Sequence, residues 1–174
     1  MKFIKIIVVI IFTCLCFVTH ISYGDLIDDL CQKTNDNNLC VKSLRADPKS
    51  ASADKKGLAR IMILLAQAKA SNILSQIEVL QKQTKEPVLK QCLDICWENY
   101  DMAVFHYSNS LVYLDSNNFF EAIGSAGDTL SDADTCDETF IEPPVRKSPL
   151  KQKTTDFTHF SSLTLSFLNQ FKTL

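Results

Sequence analysis

The sequence predicts an all-α fold: an up-down four-helix bundle with an N-terminal helical hairpin extension, stapled by disulfides. Apolar residues recur at steps of three and four along four long segments, which is the period of an amphipathic helix. Short polar or proline-containing breaks separate these segments, as expected between antiparallel helices. The cysteines are spaced so that bridges could join neighbouring helices, and no strand-like alternation is visible in the sequence.

Residues 1–24 are typical of a secretory signal peptide. Lys2 and Lys5 precede an apolar run from Ile6 to Val18, and the small residues Ser22 and Gly24 stand before the expected cleavage point. The apolar run is too short to span a membrane comfortably. We therefore expect residues 25–174 to form one secreted, extracellular domain with no membrane association after cleavage.

The mature domain is acidic and long enough to bury a sizeable core. Removal of Lys2 and Lys5 reduces the 18 basic residues to 16, against 20 acidic residues. A negatively charged domain is poorly suited to bind nucleic acid, because phosphate binding depends on lysine and arginine. We expect no nucleic-acid partner.

Residues 25–50 are predicted to form the helical hairpin. Cys31 and Cys40 enclose a polar turn from Lys33 to Asn38 between two short apolar patches. A bridge between them would close a ten-residue loop and stabilise the fold by roughly 2.7 kcal/mol in the chain-entropy model.

Residues 51–174 are predicted to form the four-helix bundle. The first long helix should run from caps at 51–54 to about Gln83, the second should start at Glu86-Pro87, and the third should end at Pro143-Pro144. A linker over 142–153 should precede the last helix.

Alanines at 66, 68 and 70 should allow close helix packing. The predicted core stripes are Leu58, Ile61, Met62, Leu65, Ile73, Ile77 and Leu80; Val88, Cys92, Cys96, Tyr100, Ala103, Tyr107, Leu111 and Leu114; Phe119, Ile123, Ala126, Leu130, Ala133 and Phe140; and Phe157, Phe160, Leu163, Phe167, Leu168 and Phe171.

The five cysteines of the mature chain allow at most two bridges and leave one thiol. Cys136 could pair with Cys92 or with Cys96 inside the bundle. The two loops are so similar in length that each bridge would contribute roughly 4 kcal/mol. Loop entropy therefore leaves this pairing open.

Catalytic, cofactor and metal sites are not predicted. His106 and His159 are the only histidines of the mature chain, and the sequence contains no nucleophile elbow, no HExxH motif and no phosphate-binding glycine loop. Cys92 lies on an apolar stripe without a predicted base, and thiols of Cys92 and Cys96 would sooner oxidise than hold a metal with His106 in a secreted protein.

Several motifs resemble the plant invertase and pectin methylesterase inhibitor family. The segment from Cys96 to Ala103 is similar to its C-x3-Y-x2-A signature, and the segment from Thr135 to Phe140 is similar to its downstream TC-x3-F motif. The spacing of Leu30, Cys31, Cys40 and Leu44 resembles the opening cysteine hairpin of the family. Residues 41–58 resemble its pollen-allergen-like branch, which includes invertase-inhibitor-type members.

The resemblance implies bridges between Cys31 and Cys40 and between Cys96 and Cys136, with Cys92 as the free thiol. It also implies that the protein is not an enzyme but a secreted inhibitor of the plant cell wall, or apoplast. Such an inhibitor would bind a wall carbohydrate enzyme one-to-one and block its substrate cleft, without a cofactor. Several family members carry a spare cysteine in the last helix, and this chain has none there.

The target of inhibition depends on two short segments. Invertase inhibitors of this family often carry Pro-Lys-Phe where this chain has Asn117, Asn118 and Phe119, so only the phenylalanine matches. The segment from Gly124 to Asp128 instead resembles invertase inhibitors. We expect pectin methylesterase to be the target, with acid invertase (beta-fructofuranosidase) as the alternative.

Candidate target-binding residues lie off the core stripe of the second long helix and in the loop that follows it. Carboxylates there could complement a basic target, although a solvated helix face is the simpler explanation of each. Trp97 could anchor a partner or close the bundle beneath the hairpin. The candidates are Asp94, Trp97, Glu98, Asp101, Asn117, Asn118 and Phe119.

A function of another class is a non-inhibitory secreted carrier, structural protein or allergen-type protein. The aromatic residues Phe119, Phe120, Phe157, Phe160, Phe167 and Phe171 would suit a ligand cavity, but they would equally fill an ordinary core.

Overall fold

The computed structural model describes residues 26–172, so the predicted signal peptide lies outside the described residues. The described chain is helical and contains no β-strand. Its helices are α1 (26–31), α2 (Asn37–Ala46), α3 (Lys55–Gln83), α4 (Pro87–Asp115), α5 (Phe119–Glu138) and α6 (Lys151–Leu168), with 3-10 turns at Pro48–Ser52 and Asn169–Phe171. No helix in this range has both the length and the apolar character needed to cross a membrane.

Helices α3 to α6 form the predicted up-down bundle. Each packs against the helices before and after it, and α6 closes the ring by packing on α3. The predicted stripes meet inside, where the Phe157 ring makes edge contacts with Tyr100 and Tyr107 at centroid distances of 5.3 Å and 6.4 Å. The predicted fold class is confirmed.

Side-chain caps begin the first three bundle helices. Asp54 accepts a hydrogen bond from the backbone N–H of Gly57 at 2.7 Å, and Glu86 accepts from Val88 and Leu89. Asn118 accepts from Glu121 at the start of α5. These caps satisfy backbone N–H groups that lack a partner within the first helical turn.

The predicted start of the first long helix agrees with the structure, whereas the predicted end of the third does not. Helix α3 begins at Lys55 with Asp54 as its cap, inside the predicted range 51–54, and a 3-10 turn capped by Asp47 precedes it at Pro48–Ser52. Helix α5 ends at Glu138 and not at Pro143-Pro144, because the chain reverses there: Arg146 N–H donates to the Phe140 carbonyl at 2.9 Å. Phe140 is nevertheless buried, so it belongs to the core without belonging to the helix.

The hairpin of α1 and α2 packs on the C-terminal half of α6. The Asn35 amide donates to Ser162 Oγ at 2.9 Å, and its backbone N–H donates to Ser166 Oγ at 3.2 Å. Gln170 Nε2 donates to the Leu30 carbonyl at 3.0 Å. These contacts place the hairpin at the end of the bundle where α6 finishes and α3 begins.

Two residues expected inside the bundle lie on its surface. Ala68 is exposed, whereas Ala66 and Ala70 are buried against neighbouring helices. Phe120 is 79% exposed, while the adjacent Phe119 packs against the core. Adjacent helical residues point about 100° apart, so Phe119 and Phe120 cannot both face the core.

Candidate target-binding surface

Two disulfides staple the described chain, one in the hairpin and one beside the candidate residues of α4. Cys31 and Cys40 are bonded across the hairpin with Cα atoms 5.5 Å apart, and Cys96 and Cys136 join α4 to α5 with Cα atoms 4.5 Å apart. This is the pairing that the family resemblance implies. Cys92 is buried outside both bridges, and its thiol contacts the Thr139 carbonyl at 3.3 Å.

The three candidate carboxylates of α4 lie on one exposed face. Asp94, Glu98 and Asp101 are spaced at four and three residues, so they follow one stripe along the helix. Asp94 Oδ1 accepts a hydrogen bond from Gln81 Nε2 of α3 at 2.8 Å. The carboxylates of Glu98 and Asp101 face solvent.

The same stripe continues into apolar side chains that were missed in the sequence. Phe105 is 55% exposed and Val112 is 65% exposed, and both follow Asp101 at helical spacing. We call Asp94, Glu98, Asp101, Phe105 and Val112 the α4 outer stripe. The sequence could have shown that Phe105 is exposed. It lies between Ala103 and Tyr107 of the core stripe and four residues after Asp101, so it falls on the same outer face as Asp101.

A shallow depression of about 310 Å³ lies beside the α4 outer stripe. Phe105 and Asn109 of α4 line one side, and Glu121, Gly124 and Asp128 of α5 line the other. A Cβ atom built at Gly124 would meet nothing within 4 Å, so this part of α5 is open. Phe120 lies one helical turn before Gly124.

Trp97 lies between α3 and α4 rather than under the hairpin. It is half-buried, packs against the core, and its Nε1 is 3.4 Å from Glu78 Oε1 on α3. Glu78 is near the C-terminal end of α3, whereas the hairpin sits where α3 begins. The expectation that Trp97 closes the bundle beneath the hairpin is therefore wrong.

The turn residues 117–119 have structural contacts of their own. Asn117 adopts a left-handed backbone with φ of 61°, and its Oδ1 accepts from Lys56 Nζ at 2.7 Å. Asn118 caps α5. The Phe119 ring packs 5.1 Å from the Phe171 ring, so this side chain is held inward. Of the two aromatic residues here, Phe120 is the one that projects from the surface.

A histidine–aspartate pair links α4 to α5 behind this surface. His106 Nδ1 and Asp132 Oδ2 are 2.8 Å apart, and both side chains are largely buried. Burial raises the pKa of Asp132 above its ordinary value, and the hydrogen bond with His106 partly offsets that rise. Ser125 Oγ also donates to the His106 carbonyl at 2.9 Å.

The histidines do not form a catalytic or metal site with the cysteines. His106 is 14 residues from Cys92 on the same helix, which corresponds to about 21 Å along its axis. His159 is exposed and lies 3.3 Å from Asp36 of the hairpin. Within residues 26–172, no group of three or more histidine, cysteine, aspartate or glutamate side chains is arranged to hold a metal ion.

Charge divides the bundle into two halves. Helix α4 carries four carboxylates and α5 carries six, whereas their only basic residue other than histidine is Lys90. Helices α3 and α6 carry five and two basic residues, against the acidic residues Glu78 and Asp156. The α4 outer stripe and the depression therefore lie in a strongly acidic half of the molecule.

Comparison with known proteins finds similar proteins in one family of inhibitors. Residues 25–167 match the family described as plant invertase/pectin methylesterase inhibitor. A pectinesterase inhibitor of Actinidia deliciosa is 35% identical over 127 residues, which cover 73% of this chain and 69% of that protein. An Arabidopsis thaliana cell wall / vacuolar inhibitor of fructosidase is 42% identical over 80 residues, covering 46% of this chain and 38% of that protein.

The fold is also similar to a solved structure. The crystal structure of a mutant form of a pectin methylesterase inhibitor from Arabidopsis superposes with a TM-score of 0.66, at 22% identity, over 80% of this chain and 92% of that chain. The match over residues 25–167 establishes that the chain belongs to the plant invertase/pectin methylesterase inhibitor family, whose relatives are named inhibitors and not enzymes.

Proposed function

We propose that this protein is a secreted inhibitor of pectin methylesterase that binds its target one-to-one through the α4 outer stripe and the adjoining depression. Binding would place this surface over the substrate cleft and exclude pectin sterically. Acid invertase is the alternative target.

The observation that carries the proposal is the composition of the α4 outer stripe. Three exposed carboxylates are followed, on the same face, by the exposed apolar side chains of Phe105 and Val112. Aromatic side chains supply much of the binding energy at protein interfaces, while surrounding charges select the partner and speed association. A target with a basic cleft rim would complement this combination.

The position of the disulfide supports the same surface. Cys96 lies between Asp94 and Glu98 in sequence, and its bridge to Cys136 fixes α4 against α5 on the inner side of the helix. A surface held rigid before binding loses little conformational entropy when the complex forms. The stripe is therefore preorganised for docking.

The α4–α5 turn favours pectin methylesterase over invertase. This turn lacks the Pro-Lys pair that often occurs in invertase inhibitors of the family. Its Asn117 is engaged by Lys56, and Phe119 is packed against Phe171, so neither is free to reach into a target.

One observation favours the invertase alternative. The segment from Gly124 to Asp128 resembles invertase inhibitors, and it lines the depression next to Phe105. Its small residues leave room for a protruding side chain of a partner.

Secretion is part of the proposal because of the predicted signal peptide and the two disulfides. Disulfides persist in oxidising compartments such as the cell wall space and are rare in the cytosol. The proposed location is the apoplast, where a wall enzyme would be accessible.

A paired titration tests the proposal. The purified, oxidised mature protein is added at mildly acidic pH to a plant pectin methylesterase and to a plant acid invertase, and residual activity is followed. We expect loss of esterase activity that saturates at one equivalent, with invertase unaffected. Loss of invertase activity alone would support the alternative target, and no effect on either would refute the proposal for these enzymes.

A further inference from the structure

A surface groove of about 400 Å³ runs between α3 and α6, the two helices of the basic half. Its floor is apolar and consists of Leu65 and Ile73 from α3 and Phe157 from α6. Of the neighbouring helix pairs in the bundle, α3 and α6 make the least extensive contact, and the small side chain of Ala68 leaves the groove open. This volume lies within the range of small-molecule sites.

The rim of the groove carries two cations from opposite sides. Lys69 stands on α3 and Lys153 stands on α6. Within residues 26–172, neither ammonium group forms a salt bridge with a carboxylate, whereas Lys151 on the same helix is paired with Asp137. Asp156, also at the rim, accepts a hydrogen bond from Gln152 at 2.9 Å.

The Lys69 side chain reaches across the helix boundary. Its Nζ lies 4.7 Å from the centroid of the Phe160 ring on α6. A cation over an aromatic face is held electrostatically, so part of the entropy of ordering this side chain is already lost in the unbound protein. An anion at the rim would therefore meet a positioned charge.

We propose that this groove binds a small amphiphilic carboxylate. Its aliphatic chain would lie on Leu65, Ile73 and Phe157, and its carboxylate would sit between Lys69 and Lys153. Charge complementarity selects an anion, and the apolar floor selects a chain over a compact ion such as phosphate. The site is separate from the α4 outer stripe, so it does not depend on the proposed inhibition.

Three probes with the same ten-carbon chain test the proposal: decanoate, 1-decanol and decyltrimethylammonium. Each is titrated into the mature, oxidised protein below its micellar concentration, with heat of binding and amide chemical shifts as readouts. We expect decanoate to bind at one site and to shift amides of α3 and α6. Decanol should bind roughly threefold to tenfold more weakly, since exposed charge contacts are individually modest, and the cation should not bind.

Four variants locate the site, and a fifth serves as a control. Lys69→Ala and Lys153→Ala should each weaken decanoate binding roughly twofold to threefold, and Asp156→Asn should strengthen it. Ala68→Leu should abolish binding by filling the groove, and it should stay folded because residue 68 is exposed and leucine favours helix. Lys82→Ala removes the same charge from α3 outside the groove and should have no effect.

Three results would overturn the inference: equal affinity for decanoate and decanol, an equal loss in Lys82→Ala and Lys69→Ala, or unchanged binding in a folded Ala68→Leu protein. Enzyme inhibition by Lys69→Ala should match that of the unmodified protein. This readout keeps the failure of the groove distinct from the failure of the proposed inhibition.

Discussion

The α4–α5 half and the α3–α6 half of the bundle share one core but differ in charge, cross-linking and surface shape. The first is acidic, is joined by Cys96–Cys136 and by the His106–Asp132 pair, and presents exposed Phe105. The second is basic, has neither a disulfide nor such a pair between its two helices in residues 26–172, and opens into a groove.

The difference shows how one bundle can provide two kinds of surface. Extensive contact and a covalent bridge hold the α4–α5 half rigid, with only a shallow depression in its surface, which suits docking of another protein. Sparser contact between α3 and α6 leaves a concave site of small-molecule size. Removing the Cys96–Cys136 bridge, the exposed Phe105 side chain or the α4 carboxylates should therefore affect the two halves differently.

The largest effect should come from removing the bridge of the acidic half. Replacing both Cys96 and Cys136 with Ala should reduce the free energy of unfolding by about 4 kcal/mol, because the unfolded chain regains the entropy of a 41-residue loop. The melting temperature should fall by roughly 10 °C. Hydrogen exchange should show that α4 and α5 lose protection more than α3 and α6 do.

The matched control is Cys92→Ser, which replaces a buried cysteine without opening a bridge. If the double variant had the same melting temperature as the control, packing alone would hold α4 against α5. The two halves would then not differ in rigidity.

The next largest effect should come from truncating Phe105, the exposed aromatic side chain of the α4 outer stripe. Phe105→Ala should weaken inhibition by about 2 kcal/mol, or roughly thirtyfold, because it truncates an exposed aromatic side chain in the middle of the proposed interface. Its melting temperature should stay close to that of the unmodified protein. Inhibition constants and thermal melts measured on the same preparations check both expectations.

Two further truncations sharpen this result. Trp97→Ala removes a half-buried side chain at the α3–α4 boundary, so it should lower the melting temperature. Val79→Ala shortens a side chain that is 50% exposed on α3, so it should change neither the inhibition constant nor the melting temperature. Inhibition that survives Phe105→Ala undiminished would remove Phe105 from the proposed interface.

The smallest effect should come from neutralising the acidic part of the α4 outer stripe. A triple variant with Asp94→Asn, Glu98→Gln and Asp101→Asn should weaken inhibition roughly tenfold at low salt, mainly through slower association. The difference should shrink as salt screens the charges. Stopped-flow association rates of the two proteins at several ionic strengths measure this difference.

Removing two charges from the other half provides the comparison. Lys69→Ala with Lys82→Ala alters α3 and should leave inhibition intact. If both variants changed the association rate equally and in the same direction, the acidic half would have no special part in recognising the enzyme.

Much of the fold could be predicted because helical periodicity records burial directly. The stripe from Cys92 to Tyr107 is buried as expected. The five stripe residues in α6 are also buried, as is Phe171 in the 3-10 turn that follows. The end of α5 was placed wrongly, because it depends on a tertiary reversal that buries Phe140 outside the helix.

The candidate site could be predicted only in part. The carboxylates of α4 were expected off the core stripe, and all three are exposed, since charge and helical register are both visible in the sequence. Phe105 and Phe120 were missed because an aromatic residue in a helix is usually buried, and only the packing shows that these two are not.

The sequence by itself determined the helices, their inward faces and the family, because spacing and motif are local properties of the chain. The division of charge between the halves was decided by tertiary structure, as was the choice between Cys92 and Cys96, which loop entropy left open and the family motif implied. Cys92 and Cys96 both face inward and would close loops of nearly equal entropy, so the register of α4 against α5 selects Cys96. Likewise, charges far apart in sequence form an acidic half and a basic half only after the four helices have taken their order around the core.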